Sequence, residues 1–444
     1  MMLRITTAIV LATVTLAACS APASSPDAGD DEGSPDAAPG VDADPDACPA
    51  GPAGAACVIA LAEAAAASCD PTMIARVEAE LAARHGWLPL WAAGRALFAT
   101  DGAAEIAGAF NAWTPAALPA LCDRALHVGI LAVASGRHGY KLVVGDTWQL
   151  DPRNLAFTYD DFAGNPDGRN SLLATPDSGL GQLIAFPEPL CSTELGNCRA
   201  VTAYLPRGYS DPANADRRYP VIYMHDGQNV FDDHDCCFGH TGWEVNVAID
   251  ADVASGALAE VIVVAADHGG AARNDEYGWT LAAGGRMETF MAFQTQTVQP
   301  AAEALLRIDT ARRYVAGSSL GGLVSMRLAL AYPTTYAGAA ALSGAFWPGQ
   351  DTGTALRDVL PTIGKQPLAI YLDHGGTAQG GGDGYADSIE IRDLAVGLGW
   401  DRTDSPACTR GPDALCYHHE PGATHDELAW RDRTWRFLRF FAGP

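Results

Sequence analysis

Tyr314-Val315-Ala316-Gly317-Ser318-Ser319-Leu320-Gly321-Gly322-Leu323 is the stretch from which the fold can be read. It opens on a short apolar strand, passes through Gly317-Ser318-Ser319-Leu320-Gly321, a G-x-S-x-G pattern, and continues into Leu323 to Ala331, a run of good helix formers with Pro333 just beyond its end. A strand that turns this sharply into a helix needs glycines beside the serine, because side chains there collide with neighbouring backbone. The turn lifts the Ser319 hydroxyl to the carboxyl edge of a sheet and sets the Leu320 N–H at a helix start, where it can stabilise a developing oxyanion. The pattern alone is weak, since glycine and serine are common. Its strand-turn-helix setting strengthens it.

Apolar strands flank this turn on both sides, at Gln182 to Phe186, Val201 to Leu205, Val221 to Met224, Val261 to Ala266, Ala339 to Leu342, Leu368 to Leu372 and Cys416 to His419. They are continuous rather than alternating and are separated by helical or loop segments. This predicts an α/β fold with a mostly parallel sheet covered by helices on both faces.

A serine hydroxyl is a poor nucleophile at neutral pH and needs a base, which in this fold follows it in the order Ser, Asp or Glu, His. His425 fits: it stands in Glu420-Pro421-Gly422-Ala423-Thr424-His425-Asp426, directly after the last strand and before a helix carrying Trp430, Trp435, Phe437 and Leu438. His418 and His419 lie within the strand and are expected to pack or face solvent, and His225 to border the site. The acid should follow the strand ending near Leu372. Asp373, Asp383 and Asp387 are the candidates, and Asp383 is favoured because Asp373, still on the strand end, is less free to turn toward His425.

The 444 residues exceed what one core usually organises. Arg4 and the apolar run Ile5 to Ala18 read as an export signal, too short for a bilayer span. Leu16-Ala17-Ala18-Cys19 resembles a bacterial lipobox, which implies lipidation of Cys19 and membrane anchoring. The formal net charge is −25, and Ser20 to Cys48 holds eight acidic residues and no Lys or Arg, so nucleic-acid binding is disfavoured and this stretch reads as a solvated spacer. Ten further cysteines in an exported chain suggest disulfides: Cys191 with Cys198, Cys408 with Cys416, and Cys48, Cys57, Cys69 and Cys122 among themselves. Zinc is the competing reading, but the C-x-x-C pairs with matching His spacing are missing. The adjacent Cys236 and Cys237 have no assigned partner.

The expected layout is a signal peptide over 1–19, an acidic linker over 20–50, a helical pair over 51–86, a small β-domain over 87–155, a linker over 156–181 and the α/β domain over 182–444. The β-domain is read from short apolar runs broken by Gly, Asn and Pro. Within it, Phe110-Asn111-Ala112-Trp113 and Tyr140-Lys141-Leu142-Val143-Val144 with Trp148-Gln149-Leu150-Asp151-Pro152 resemble the early-set immunoglobulin-like domain that precedes glycan-acting enzymes and some enterochelin esterases. That resemblance implies a sugar grip through exposed aromatics, with Trp113 and Trp148 as candidates. The alternative is that both fill the small sandwich core.

Tyr223-Met224-His225-Asp226-Gly227-Gln228-Asn229-Val230-Phe231-Asp232 resembles a signature of the enterochelin-esterase and esterase-D-like family. Arg273 to Tyr277, Gly317 to Gly322 and Pro421 to Trp430 continue the match in order, over roughly Gln182 to Phe441. The resemblance implies an α/β-hydrolase that cleaves carboxylic esters without metal or cofactor, with Ser319, His425 and Asp383 as catalytic residues. It also implies that the backbone at Gly227 and Gln228 joins Leu320 in holding the oxyanion. One departure stands out: Gln379 occupies the place, three residues after Gly376, where related enzymes carry the acid. Siderophore esters, feruloyl or acetyl esters on polysaccharide and small xenobiotic esters are the open substrate classes, with a lean toward carbohydrate-linked esters because basic residues are sparse. An acyltransferase and an inactive glycan-binding lipoprotein are the rival functions.

Overall fold

The computed structural model describes residues 48–49, 54–160, 162, 165, 168–231, 242–379 and 382–444. Cys19, the export signal, nearly all of the acidic spacer, and Cys236 and Cys237 lie outside these residues. Residues 48–444 form one unit.

The strand Ile308–Ser318 lies in the parallel part of a long mixed sheet, between Tyr219–Met224 and Gly338–Leu342. Outward from Gly338–Leu342 come Ala369–His374, Ala414–His419 and the edge strand Asp401–Asp404, all parallel. On the other side Ile262–Ala266 is parallel to Tyr219–Met224, and Val201–Leu205 and Gln182–Ala185 close the series antiparallel. Alternate residues of one strand feed opposite cores. Val221 and Tyr223 pack on the face that buries Leu323, Val324 and Met326, whereas Ile222 and Met224 pack on the face that buries Trp430, Phe437 and Phe441. Both faces are therefore dry, which explains the continuous apolar runs in the sequence. This is the α/β-hydrolase arrangement.

At the N-terminus the helical pair is Ala55–Ser68 and Pro71–Ala83, the second capped by Asp70, whose carboxylate accepts the Thr72 and Met73 N–H groups at 2.8 and 3.1 Å. Strands Leu90–Ala92, Arg95–Thr100 and His127–Ala132 make a separate three-stranded antiparallel sheet. Its Phe98 packs with Ile106, Tyr140, Leu142 and Leu173 of the neighbouring strands. Those neighbours do not form a closed sheet of their own. Residues 156–181, read as a linker from their Asp, Gly, Asn and Pro content, instead hold strands Ala156–Tyr159 and Arg169–Ala174, which pair with Gln182–Ala185 and with Arg137–Val144. The large sheet thus runs unbroken from the hydrolase into the β-region. Ala156, Phe157, Leu172 and Leu173 are buried apolar residues of this strand pair.

The disulfides among the described residues are Cys48–Cys57, Cys69–Cys122, Cys191–Cys198 and Cys408–Cys416. Among the same residues no helix is long and apolar enough to cross a membrane, and no cluster of His, Cys, Asp or Glu could hold a metal ion.

Candidate active site

Ser319 stands between the strand Ile308–Ser318 and the helix Leu320–Ala331 at φ 53° and ψ −123°. A non-glycine residue held there costs on the order of 1–3 kcal/mol, so its surroundings must impose it. They do so through the backbone: the Ser319 N–H donates to Leu342 O at 3.0 Å, and Ser319 O accepts the Ala345 N–H at 2.9 Å. The glycines matter by what they lack. A Cβ on Gly317 would lie 2.6 Å from the Gly321 carbonyl carbon, and one on Gly322 would lie 3.0 Å from Ala341 Cβ.

Three loops converge above this turn. His425 Nε2 is 2.9 Å from Ser319 Oγ, and His425 Nδ1 is 2.9 Å from Asp383 Oδ1. The imidazole is partly exposed, its side chain 40% accessible, with Trp430 edge-on at 5.0 Å, while the Asp383 side chain is 1% accessible. Asp383 sits at φ 43° in the loop after Ala369–His374. Its Oδ2 accepts Ser343 Oγ–H at 2.8 Å and the Gly375 N–H. Of the three acid candidates, Asp383 alone reaches the imidazole. Asp373 is fully buried and turned away, accepting the Ser343 N–H at 3.1 Å and the Tyr371 hydroxyl at 2.9 Å. Asp387 lies on the helix Tyr385–Leu398, where Arg357 and Glu390 set its field. Gln379 is exposed.

Leu320 is the first residue of its helix, where an N–H has no intrahelical acceptor. Gly227 and Gln228 open the short helix Gly227–Val230 after the strand Tyr219–Met224, and this loop presses on the serine turn: a Cβ on Gly321 would be 3.1 Å from Asp226 Oδ2. Gly227 is equally constrained, since a Cβ would meet Ala265 O at 2.7 Å. Gln228 Oε1 accepts the His268 N–H at 3.3 Å.

The sequence reading did not foresee what holds this loop. Asp226, 1% exposed and at φ 59°, is clamped by Arg273 through two hydrogen bonds of 2.6 and 2.8 Å. Arg199 and Glu276 form a second, fully buried ion pair nearby at 2.5 Å. His225 does not border open space. It is buried against Tyr277 and Phe290 with Nε2 unpartnered among the described residues, and burial pushes its pKa down to about 4. His418 pairs with Glu420 at 2.9 Å, and His419 lies 3.1 Å from Gly376 O.

Trp113 and Trp148 do not fill the sandwich core. They are 39% and 42% exposed, their rings 6.3 Å apart, beside a cavity of about 440 Å3 that Lys141, Asp160, Phe162, Asn165 and Asn170 also line. Trp113 and Ala112 both adopt positive φ, and Asn111 holds this turn by accepting the Gly108 N–H at 2.8 Å and donating to Ile106 O and Thr114 O. The signal for this outward placement lies in the residues before Trp113, not in its own type.

Comparison with known proteins bears on the same region: residues 192–396 match the Esterase family, described as "Putative esterase". This segment is similar to that family over a little less than half of the chain. The esterase segment starts at the Leu190–Ser192 hairpin strand and includes Ser319 and Asp383, with His425 beyond its end. No match to the chain is found among curated proteins. Among solved structures, the chain is similar to an IroE-like serine hydrolase from Shewanella oneidensis, at 19% identity and TM-score 0.44 over 58% of this chain and 79% of that one. It is also similar to the ferric enterobactin esterase of Salmonella typhimurium, at 17% identity and TM-score 0.42 over 78% and 93%. A feruloyl esterase module from Clostridium thermocellum, solved with sinapinate, gives 17% identity and TM-score 0.42 over 60% and 90%. The likeness to esterases is carried by residues 192–396.

Proposed function

We propose that the protein hydrolyses carboxylic esters through an acyl-enzyme on Ser319, with His425 as general base and Asp383 as the acid that orients it. The reading rests on one observation, the unbroken relay from Ser319 Oγ through His425 to Asp383 at 2.9 Å per step. His425 Nε2 takes the hydroxyl proton as Ser319 attacks the ester carbonyl, and returns it to the departing alcohol. Water, deprotonated by the same nitrogen, then releases the acid. The Leu320 N–H and the backbone at Gly227 and Gln228 hold the charge on the former carbonyl oxygen.

The substrates we infer are carbohydrate-linked esters, with the Trp113 and Trp148 face holding the sugar and Ser319 cleaving the ester. Supporting this are the two half-exposed indoles beside one cavity with the buried amide of Asn170, which donates to the Asp160 carboxylate at 2.9 Å: apolar ring faces and fixed polar groups together suit a pyranose. We further propose that Cys19 is lipidated and tethers the chain to a membrane outside the cytoplasm, a setting consistent with the disulfides. The test is a comparison of wild type with Ser319→Ala on 4-nitrophenyl acetate and on acetylated or feruloylated oligosaccharides. Hydrolysis by wild type and its loss in the variant support the reading. Unchanged turnover in the variant overturns it.

A further inference from the structure

Behind the Asp383 carboxylate lies a second buried carboxylate and a single cation. Arg433, 2% exposed, comes from the helix Glu427–Ala442 and places Nε 3.4 Å from Asp373 Oδ2 and Nη2 3.5 Å from Asp383 Oδ2. Its Nη2 also donates to Ser343 Oγ at 2.7 Å. That hydroxyl already accepts Trp430 Nε1–H at 3.0 Å, so with two donors pointing at it, its one proton must go to Asp383 Oδ2 at 2.8 Å. Ser343 is fully buried at φ 45° and has no freedom to choose otherwise.

Two buried carboxylates that share one guanidinium are each favoured in the ionised form by that cation. We propose that Arg433, anchored by Asp373 and relayed through Ser343, is a positioning residue that keeps Asp383 anionic and directed at His425. The proposal rests on the triad reading above. It makes the site a charge cluster rather than a triad alone: two acids and one guanidinium leave a net charge of −1 facing the imidazole, which is neutralised when His425 takes the serine proton.

The cluster has few other charges near it. Tyr371 donates to Asp373, and His418, Glu420 and Arg436 lie toward the end of Ala414–His419. His374, whose pKa burial lowers to about 4, is neutral at working pH. Burial raises the pKa of Asp373, and Arg433 opposes that rise.

The sign of each perturbation follows. Removing the cation makes every nearby group easier to protonate, so Arg433→Met shifts the acid limb of kcat/KM upward by the order of one pH unit. Removing the second acid does the opposite, and Asp373→Asn shifts it downward. The double variant Arg433→Met/Asp373→Asn restores the net charge and returns the limb to within about 0.3 unit of wild type. A packing role alone predicts no such opposed and cancelling shifts. Where Arg433→Met does not fold, Asp373→Asn carries the test by itself, with a downward shift required. The pH at which the His425 imidazole resonances change over in NMR spectra must move in the same directions, which tests the cluster even in a protein that hydrolyses no ester offered. Failure of all ester hydrolysis by wild type counts against the triad reading. Unmoved His425 resonances and an unmoved acid limb in folded variants overturn the role of Arg433.

Discussion

Asp383→Asn is the substitution whose consequence the structure defines most sharply. The amide is nearly isosteric with the carboxylate but has one acceptor oxygen instead of two. The Oδ2 position faces the Gly375 N–H, the Ser343 hydroxyl proton and Arg433 Nη2, all donors, so the amide oxygen must sit there. Its NH2 group is then left in the Oδ1 position, 2.9 Å from His425 Nδ1. An amide N–H pointing at Nδ1 forces that nitrogen to be the acceptor and moves the ring proton to Nε2, where it faces Ser319 Oγ. The imidazole can no longer accept the serine proton. In serine proteases, replacing the triad aspartate by asparagine lowers kcat by about 10⁴ while the geometry stays intact, because the imidazole is held in the wrong tautomer. A loss of about 10³ to 10⁴ is expected here, equivalent to roughly 4–5 kcal/mol of barrier, with KM changed less than about threefold because the binding surface is untouched. The assay is steady-state hydrolysis of 4-nitrophenyl acetate near pH 8, paired with ¹⁵N spectra that report which ring nitrogen carries the proton. Retention of more than about a tenth of wild-type kcat, with Asp373→Asn or Asp387→Asn abolishing activity instead, would refute the reasoning.

Arg273→Met leaves Asp226 buried and unpaired beside the serine turn, at a cost of about 3–5 kcal/mol. Thermal denaturation should show the loss, and kcat should fall with it because the Gly227 and Gln228 backbone loses its clamp; an unchanged Tm and kcat would count against that loop's assigned part. His225 is held neutral by burial, with a pKa of about 4 against an ordinary value of 6.5. The unfolded chain therefore binds the proton first, and stability present above pH 6.5 is lost as pH falls toward 4, by on the order of 3 kcal/mol for this one group. Urea titrations across that range check the slope, and His225→Leu should flatten it. Reduction of Cys69–Cys122, which closes a span of 53 residues, should destabilise the N-terminal region by roughly 4 kcal/mol on a loop-entropy basis, measured as a lowered denaturation midpoint in Cys69→Ser/Cys122→Ser.

What the sequence made legible follows physical rules that act locally or through periodicity. The strand Ile308–Ser318 and helix Leu320–Ala331 were readable because their apolar runs and glycines leave little alternative, and His425 because the loop after the last strand leads to the sheet edge that carries Ser319. Asp383 was favoured over its neighbours from chain position alone. The strands Ala156–Tyr159 and Arg169–Ala174 escaped notice because a polar loop dominates the segment between two four- to six-residue strands, and pairing partners far along the chain decide their state. The edge strand Asp401–Asp404 was missed for a related reason: all four residues are exposed, so no apolar run marks it. Arg433 and Ser343 carried no signal at all, and Arg273 was marked only as part of a resembling motif, with no role attached. Their importance comes from which buried carboxylates the fold brings beside them, and residue type does not encode that.

Everything in the proposed chemistry depends on Ser319 forming a covalent acyl intermediate under the control of His425. The most direct measurement is mass spectrometry of the protein quenched during turnover of a slowly deacylated aryl ester, with parallel labelling by a fluorophosphonate. One acyl adduct is expected, on the peptide carrying Ser319, absent in Ser319→Ala and strongly reduced in His425→Ala. Ester turnover with no adduct on that peptide, or an adduct of equal yield without His425, would contradict it.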